Sequence, residues 1–405
     1  MKNESLTQHA KRVNDIQQAL RDAGLDGWLF YDFRTSDPLA YRILKLDPET
    51  HTTRRWFYFV PANGEPSKIV HRIESGKLDS LPGDKFIYLS WQEQHGHLRK
   101  SLAGSGPKIA MQYSPMNAIP YISRVDGGTI ELVRSFGVEV QTSAELVQHF
   151  EAVWSPEQRE THVYAAENIH RIIHEAFGEI ARGLRAEEPV TEFSIQQFIL
   201  RRFEDAGMIC DSPPIVAVNA NSADAHYSPS RELHSPIKRG DFVLLDVWAK
   251  LNKPGAVYGD LSWTGFAGES VPEEYSKIFN IVSQARDRAV DFIREQVSAG
   301  QSFHGADVDD VSRGVIRDAG FGDFFNSRTC HSIGEEVHGN GANIDNIETP
   351  DNRMITPRTC FSLEPGIYLP GKFGLRSEID VFVGDGEVMI AGQPIQTGII
   401  PIMKM

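Results

Sequence analysis

Two stretches in the second half of the chain place acids where apolar strands ordinarily exclude them. In Phe242-Val243-Leu244-Leu245-Asp246-Val247-Trp248 the acid lies inside the apolar run. A turn at Asn252-Lys253-Pro254-Gly255 leads on to Tyr258-Gly259-Asp260-Leu261-Ser262-Trp263. Further on, Phe361-Ser362-Leu363-Glu364 is followed by a turn at Pro370-Gly371-Lys372 and then by Gly374-Leu375-Arg376-Ser377-Glu378-Ile379-Asp380. In both, two carboxylates stand fourteen residues apart with a Pro-Gly turn near the midpoint. Symmetric antiparallel hairpins would set Asp246 opposite Asp260 and Glu364 opposite Glu378, with Cβ atoms about 4.5–5.5 Å apart. Like charges that close repel, and one of each pair would be driven to take up a proton. A pair of divalent cations supplies a reason for both.

The rest of the composition narrows the class. A chain of 405 residues exceeds one ordinary core and points to two domains. The net charge of −14 argues against nucleic acid or an anionic membrane as the main partner. Three cysteines, Cys210, Cys330 and Cys360, are widely spaced without a CxxC pair, which reads as a reducing compartment rather than a disulfide framework. The opening Met1-Lys2-Asn3-Glu4-Ser5-Leu6-Thr7-Gln8 is polar and has no apolar h-region, and no apolar run reaches membrane-spanning length. The expected location is the cytoplasm.

Along the chain, apolar positions at Val13, Ile16, Leu20 and Leu25 among charges predict an amphipathic helix over 6–24. Strands follow at 27–31, 56–60, 67–71, 86–89 and 108–111, with a hairpin over 56–71 and helical stretches at 91–103 and 143–150. The first 154 residues read as an α/β domain without a metal or nucleophile constellation. Ser155-Pro156-Glu157-Gln158 supplies an N-cap, a proline at the first helical position and an acid in the first turn. It opens a long helix with Val163, Ala166, Ile169, Ile173 and Phe177 on one face, and a second domain over 155–405. Helices at 191–206, 272–298 and 304–319 and strands at 214–219 and 241–249 complete the pattern. Neither an internal repeat of solenoid length nor a low-complexity linker is evident.

The histidines are ambiguous singly. His331 and His338 stand seven residues apart beside glycines, without the spacing of a helical HExxH zinc motif, and His226 lies in a polar loop. Each alone reads as an ordinary loop residue. Each acid alone also has a structural reading, as a strand end or an ion pair. Together, four carboxylates and one imidazole balance two divalent ions, and an oxygen-rich set with a single histidine suits manganese first, with cobalt, zinc or iron also accommodated. Two such ions about 3.5–4 Å apart hold and deprotonate a bridging water and polarise a carbonyl, which is the apparatus of amide hydrolysis.

The series His226; Asp246 and Asp260; His331 and His338; Glu364-Pro365-Gly366-Ile367-Tyr368; Arg376-Ser377-Glu378 resembles the pita-bread metallopeptidases over roughly 155–400. That group includes prolidase (Xaa-Pro dipeptidase), aminopeptidase P and methionine aminopeptidase. Residues 1–150 resemble, more weakly, the amino-terminal domain of prolidases, aminopeptidase P and creatinase. The resemblance implies an α+β chain: a carboxy-terminal curved antiparallel sheet flanked by helices, preceded by the creatinase-like α/β domain. It implies that Asp246, Asp260, His331, Glu364 and Glu378 ligate two metals, with Asp260 and Glu378 bridging and Glu364 also acting as base. His226 and His338 would bind the scissile carbonyl and its oxyanion, and Arg376 would order Asp260 or the substrate carboxylate, or else form a purely structural ion pair. It further implies hydrolysis of the Xaa-Pro bond of dipeptides or short peptides by a metal-bridging hydroxide, in a homodimer. Aminopeptidase P activity on longer peptides, a metal-dependent non-peptide amide hydrolase or lyase, and a silent binding protein are the alternatives. Three positions depart from the family pattern: Cys330-His331-Ser332 stands where Gly-His-Gly is common, Gly339-Asn340 where an acid often follows the second histidine, and Trp263-Thr264 where Arg-Thr is common.

Overall fold

The computed structural model describes residues 2–405, with side chains from residue 8 onward. The chain divides into two compact units, Met1–Glu151 and Ala152–Met405.

The first unit is a six-stranded mixed sheet with helices around it. Its strands are β1 (Gly27–Asp32), β2 (Trp56–Pro61), β3 (Ser67–His71), β4 (Asp84–Tyr88), β5 (Lys108–Met111) and β6 (Glu139–Thr142), in the spatial order β4-β3-β2-β1-β5-β6. β2 is antiparallel to both β1 and β3; the other pairings are parallel. β1 and β2 are buried along their whole length because each sheet face has its own apolar core. Trp28, Phe30 and Tyr58 belong to one core, and Leu29, Phe57 and Ile69 to the other. The helices are α1 (Lys2–Asp22), α2 (Pro38–Ile43), α3 (Trp91–Leu102), α4 (Gly127–Arg134) and α5 (Ala144–Glu151). α2, α4 and β6 were not anticipated. They are short, and α4 begins Gly-Gly and is held by its cap, the Asp126 carboxylate accepting from the Thr129 N–H at 2.9 Å.

The second unit opens with α6 (Pro156–Arg185). Ser155 Oγ accepts from the Gln158 N–H at 3.2 Å and Gln158 Oε1 accepts from the Ser155 N–H at 3.0 Å, a reciprocal capping box. Its apolar face, including Ile169, Ile173 and Phe177, packs with that of α7 (Glu192–Asp205) against a sheet. That sheet contains β7 (Met208–Ile209), β8 (Ile215–Val218), β9 (Phe242–Leu251) and β10 (Gly259–Phe266), with β7 and β8 both pairing with β9. Close approach is built into β10: a Cβ on Gly259 would lie 2.9 Å from the Ala166 backbone nitrogen of α6. After α8 (Glu273–Ser298) and α9 (Gly305–Asp318) comes a second sheet. It comprises β11 (Ser332–Ile333), β12 (Thr359–Leu363), β15 (Ile379–Val383) and β16 (Val388–Ile390), with β13 (Gly366–Leu369) and β14 (Phe373–Arg376) as a separate hairpin. β17 (Ile400–Pro401) pairs with β10.

The two acid-bearing hairpins differ in register. In the first, Asp246 faces Ser262 and Asp260 faces Trp248, so the two acids are diagonal neighbours on one face rather than directly opposed. The turn is asymmetric, and the ladder is centred on Pro254 rather than one residue earlier. In the second, Leu363 faces Ile379 and Gly366 faces Arg376. Glu364 and Glu378 therefore stand at opposed positions where the ladder is interrupted between them. No helix among the described residues is long and apolar enough to cross a membrane.

Candidate metal centre

All eight residues singled out in the sequence line one cavity of about 700 Å³ in the second unit: His226, Asp246, Asp260, His331, His338, Glu364, Arg376 and Glu378. β9 and β10 carry the two aspartates. The interruption of the second hairpin carries the two glutamates, and His331 directly precedes β11. Oxygen and nitrogen atoms of Asp260, His331 and Glu378 lie within 4.8 Å of one another, and all three residues are buried. His331 Nε2 is 3.5 Å from Asp260 Oδ2 and 3.6 Å from Glu364 Oε1. Its Nδ1 donates to the Ser332 carbonyl at 3.2 Å, which leaves the lone pair on Nε2, directed at the carboxylates.

The electrostatics are those of a crowded anionic site. Burial, then the Asp246 and Asp380 charges, hold the Asp260 carboxyl well above the usual carboxylate range. Burial, then Asp260 and Glu364, do the same for Glu378. Burial raises Glu364, with Arg376 opposing. Burial, followed by the Arg328 charge, pushes His331 down to about 3. Burial, then the His331 and Arg328 charges, pushes His338 down to about 4, so both imidazoles are neutral at pH 7. The His331 and His338 rings stand edge to face, 4.3 Å between centroids.

Arg376 makes an ion pair within the site. Its guanidinium pairs with Asp246, not Asp260, and also donates to Ser262 Oγ at 2.9 Å and to Tyr368 Oη at 3.2 Å. The diagonal register puts Asp246 beside Ser262, and the arginine on β14 meets both.

Three further residues organise the site. Ser262 Oγ lies 2.6 Å from Asp246 Oδ1 and 2.7 Å from Glu378 Oε2, joining the two hairpins. Asp380 Oδ2 accepts from the Asp260 N–H at 2.9 Å, and His162 Nε2 lies 3.7 Å from the same oxygen. Ser262 and Asp380 were legible in principle, since each lies two residues beyond a ligand and so on the same strand face. His162, on α6 about two hundred residues before Asp380, carried no signal.

A model of metallopeptidase family M24 matches residues 164–385, more than half of the chain and all eight of the cavity residues singled out in the sequence. The chain belongs to metallopeptidase family M24. Over 408 residues this M24 chain is 25% identical to the "Probable dipeptidase PepE" of Mycobacterium tuberculosis, a match covering 97% of each. Over 164 residues it is 32% identical to the Xaa-Pro dipeptidase of Lactobacillus delbrueckii subsp. lactis, covering 40% of each. Against several curated relatives the chain spans only about half of their length or less. Among solved structures, that of dipeptidase PepE from Mycobacterium ulcerans superposes with a TM-score of 0.72 at 22% identity, covering 98% of this chain and 99% of that one. The α+β pita-bread architecture is common to them.

The residues of this M24 site fit divalent metal. Three buried carboxylates and the half-buried Glu364 share the cavity with the guanidinium of Arg376 and, at its lining, that of Arg328, so two positive charges leave part of theirs uncompensated. Among the described residues, Asp260 Oδ1 is buried without a hydrogen-bond partner, though an oxygen so placed ordinarily has one. A hard cation satisfies both deficits. The donor set, four carboxylates and the Nε2 of one histidine, is chemically suited to it.

Proposed function

We propose that the chain is a dinuclear metal-dependent peptidase that hydrolyses the Xaa-Pro bond of dipeptides or short peptides. The observation that carries the reading is the convergence of four carboxylates, the lone-pair nitrogen of His331 and two further histidines on one cavity of an M24 chain. Asp246, Asp260, His331, Glu364 and Glu378 would hold two divalent ions, manganese first among those that suit the set. When bound, the ions supply activation of the attacking water and polarisation of the scissile carbonyl.

The chain's own groups do the rest. Glu364, raised by burial, takes the proton of the attacking water at a carboxylate oxygen. His338, neutral at pH 7, donates N–H to the carbonyl oxygen as negative charge develops there, and His226, which also lines the cavity, donates beside it. Arg376 holds the Asp246 carboxylate in place. The active form is a homodimer. Three unbridged cysteines suit a reducing cytoplasm.

The deciding experiment is a panel of Xaa-Pro dipeptides, longer Xaa-Pro peptides and Met-Ala peptides, each with Mn²⁺, Co²⁺ or Zn²⁺. Cleavage of dipeptides alone supports the proposal. Cleavage of longer Xaa-Pro peptides would make the chain an aminopeptidase. Inactivity on the whole panel would overturn the peptidase reading in favour of a non-peptide amide substrate.

A further inference from the structure

We infer that Ser332, Asp351 and Arg353 are positioning residues that fix His338 against His331, an inference resting on the catalytic role proposed for His338. The segment from Gly334 to Arg358, between β11 and β12, contains no helix or named strand, and much of it is nevertheless buried. Irregular segments of that length in a compact unit are commonly functional. Their buried backbone groups need specific partners.

Here the partners converge on the few residues that follow His338. The Gly339 N–H donates to the Ser332 carbonyl at 2.6 Å, and the Gly341 N–H donates to Ser332 Oγ at 3.0 Å. In return the Ser332 N–H donates to Asn343 Oδ1 at 3.0 Å. The same loop is gripped from its other side by Arg353. This residue is 1% exposed, and it donates to the Asn340 and Gly341 carbonyls at 2.7 Å each. Its charge is neutralised by a two-point pair with Asp351, Nε to Oδ1 at 2.9 Å and Nη2 to Oδ2 at 2.7 Å. Asp351 Oδ2 also accepts the Asn343 N–H at 3.2 Å.

This interlock accounts for two of the departures from the family pattern. Ser332, where glycine is common, supplies the hydroxyl that receives Gly341. A side chain directly after His338 would be crowded: a Cβ on Gly339 would lie 3.0 Å from both Ser332 Oγ and the Ile333 carbonyl carbon. A Cβ on Gly341 would come 2.6 Å from Ser332 Oγ. Ser332 also receives the His331 Nδ1 hydrogen bond on its carbonyl. One residue therefore orients the metal-facing imidazole through its backbone and anchors the loop of the second imidazole through its side chain.

The test uses the full-length, metal-loaded protein. Ser332→Ala removes one hydroxyl, and Arg353→Lys keeps the charge but loses the two-carbonyl grip. Each is measured alone and combined with His338→Ala. The expected result is a fall in kcat of about 10- to 100-fold, because a small misplacement of a catalytic group costs that much. Metal content and KM should be close to those of the parent, and no further loss should appear in the His338→Ala background. A loss of the same factor in that background, or a loss accompanied by depleted metal, would overturn the assignment. A readout independent of turnover is the ring resonance of His338 in histidine-labelled protein. It should move in Ser332→Ala while that of His226 stays put, and an unmoved His338 signal would also overturn it. Wild-type inactivity on all peptides would instead defeat the functional reading and leave this second readout intact.

Discussion

Replacing Glu378 by glutamine should make the metal-free protein more stable and the metal-loaded protein less so. Ligand atoms of Asp260, His331 and Glu378 lie within 4.8 Å of one another. Two carboxylates at that distance repel by about 3.5 kcal/mol at an effective dielectric near 20. Proton uptake relieves part of this at its own cost, so the gain expected from neutralising Glu378 is about 1–3 kcal/mol. Glutamine keeps the shape and can still accept from Ser262 Oγ. With about 2–4 °C per kcal/mol for a unit of this size, the melting midpoint in chelator should rise by roughly 2–12 °C. With metal the order reverses. At a hundred times the dissociation constant, one bound ion adds about 2.7 kcal/mol to the wild type, and this should be lost when a shared ligand is removed. Thermal melts at pH 8, in chelator and across a Mn²⁺ titration, measure both limbs. A Glu378→Gln protein that melts below wild type in chelator, or that keeps the full metal-induced shift, would refute the account of these carboxylates as a strained cradle.

Glu364→Gln should lower kcat by at least about 100-fold, the usual contribution of a positioned base, and substantial residual turnover would remove it from that role. His162 is fully buried and its pKa falls to about 4 from an unfolded value near 6.5, so the unfolded chain binds the extra proton between those values. The stability it contributes is present above pH 6.5 and is lost as pH falls toward 4, on the order of 3 kcal/mol in total. Denaturant melts of His162→Gln should accordingly show a flatter pH dependence over that window than wild type. Ser155→Ala breaks the capping box at the start of the 30-residue helix α6 and should cost about 1 kcal/mol in chemical denaturation, with metal content unchanged.

Much of the site was legible because its chemistry conflicts with its surroundings. A carboxylate such as Asp246, inside Leu244-Leu245-Asp246-Val247-Trp248, violates the composition of a buried strand, and that violation is local and visible. The same holds for helix α6, whose cap and apolar stripe are written in consecutive residues. Order along the chain, from His226 to Glu378, then carried the family resemblance.

What the tertiary structure decided are the relations between distant segments. The register of the first hairpin depends on how its turn closes, and a shift of two residues keeps every side chain on its face while changing every partner. Packing set Arg376 against Asp246 and put Ser262 between the two hairpins. The support given by His162, Asp380 and the Ser332–Arg353 interlock arises only when segments up to two hundred residues apart are brought together. Sequence alone names the groups that cannot tolerate burial unaided; which neighbour relieves each of them is a property of packing, and packing is non-local.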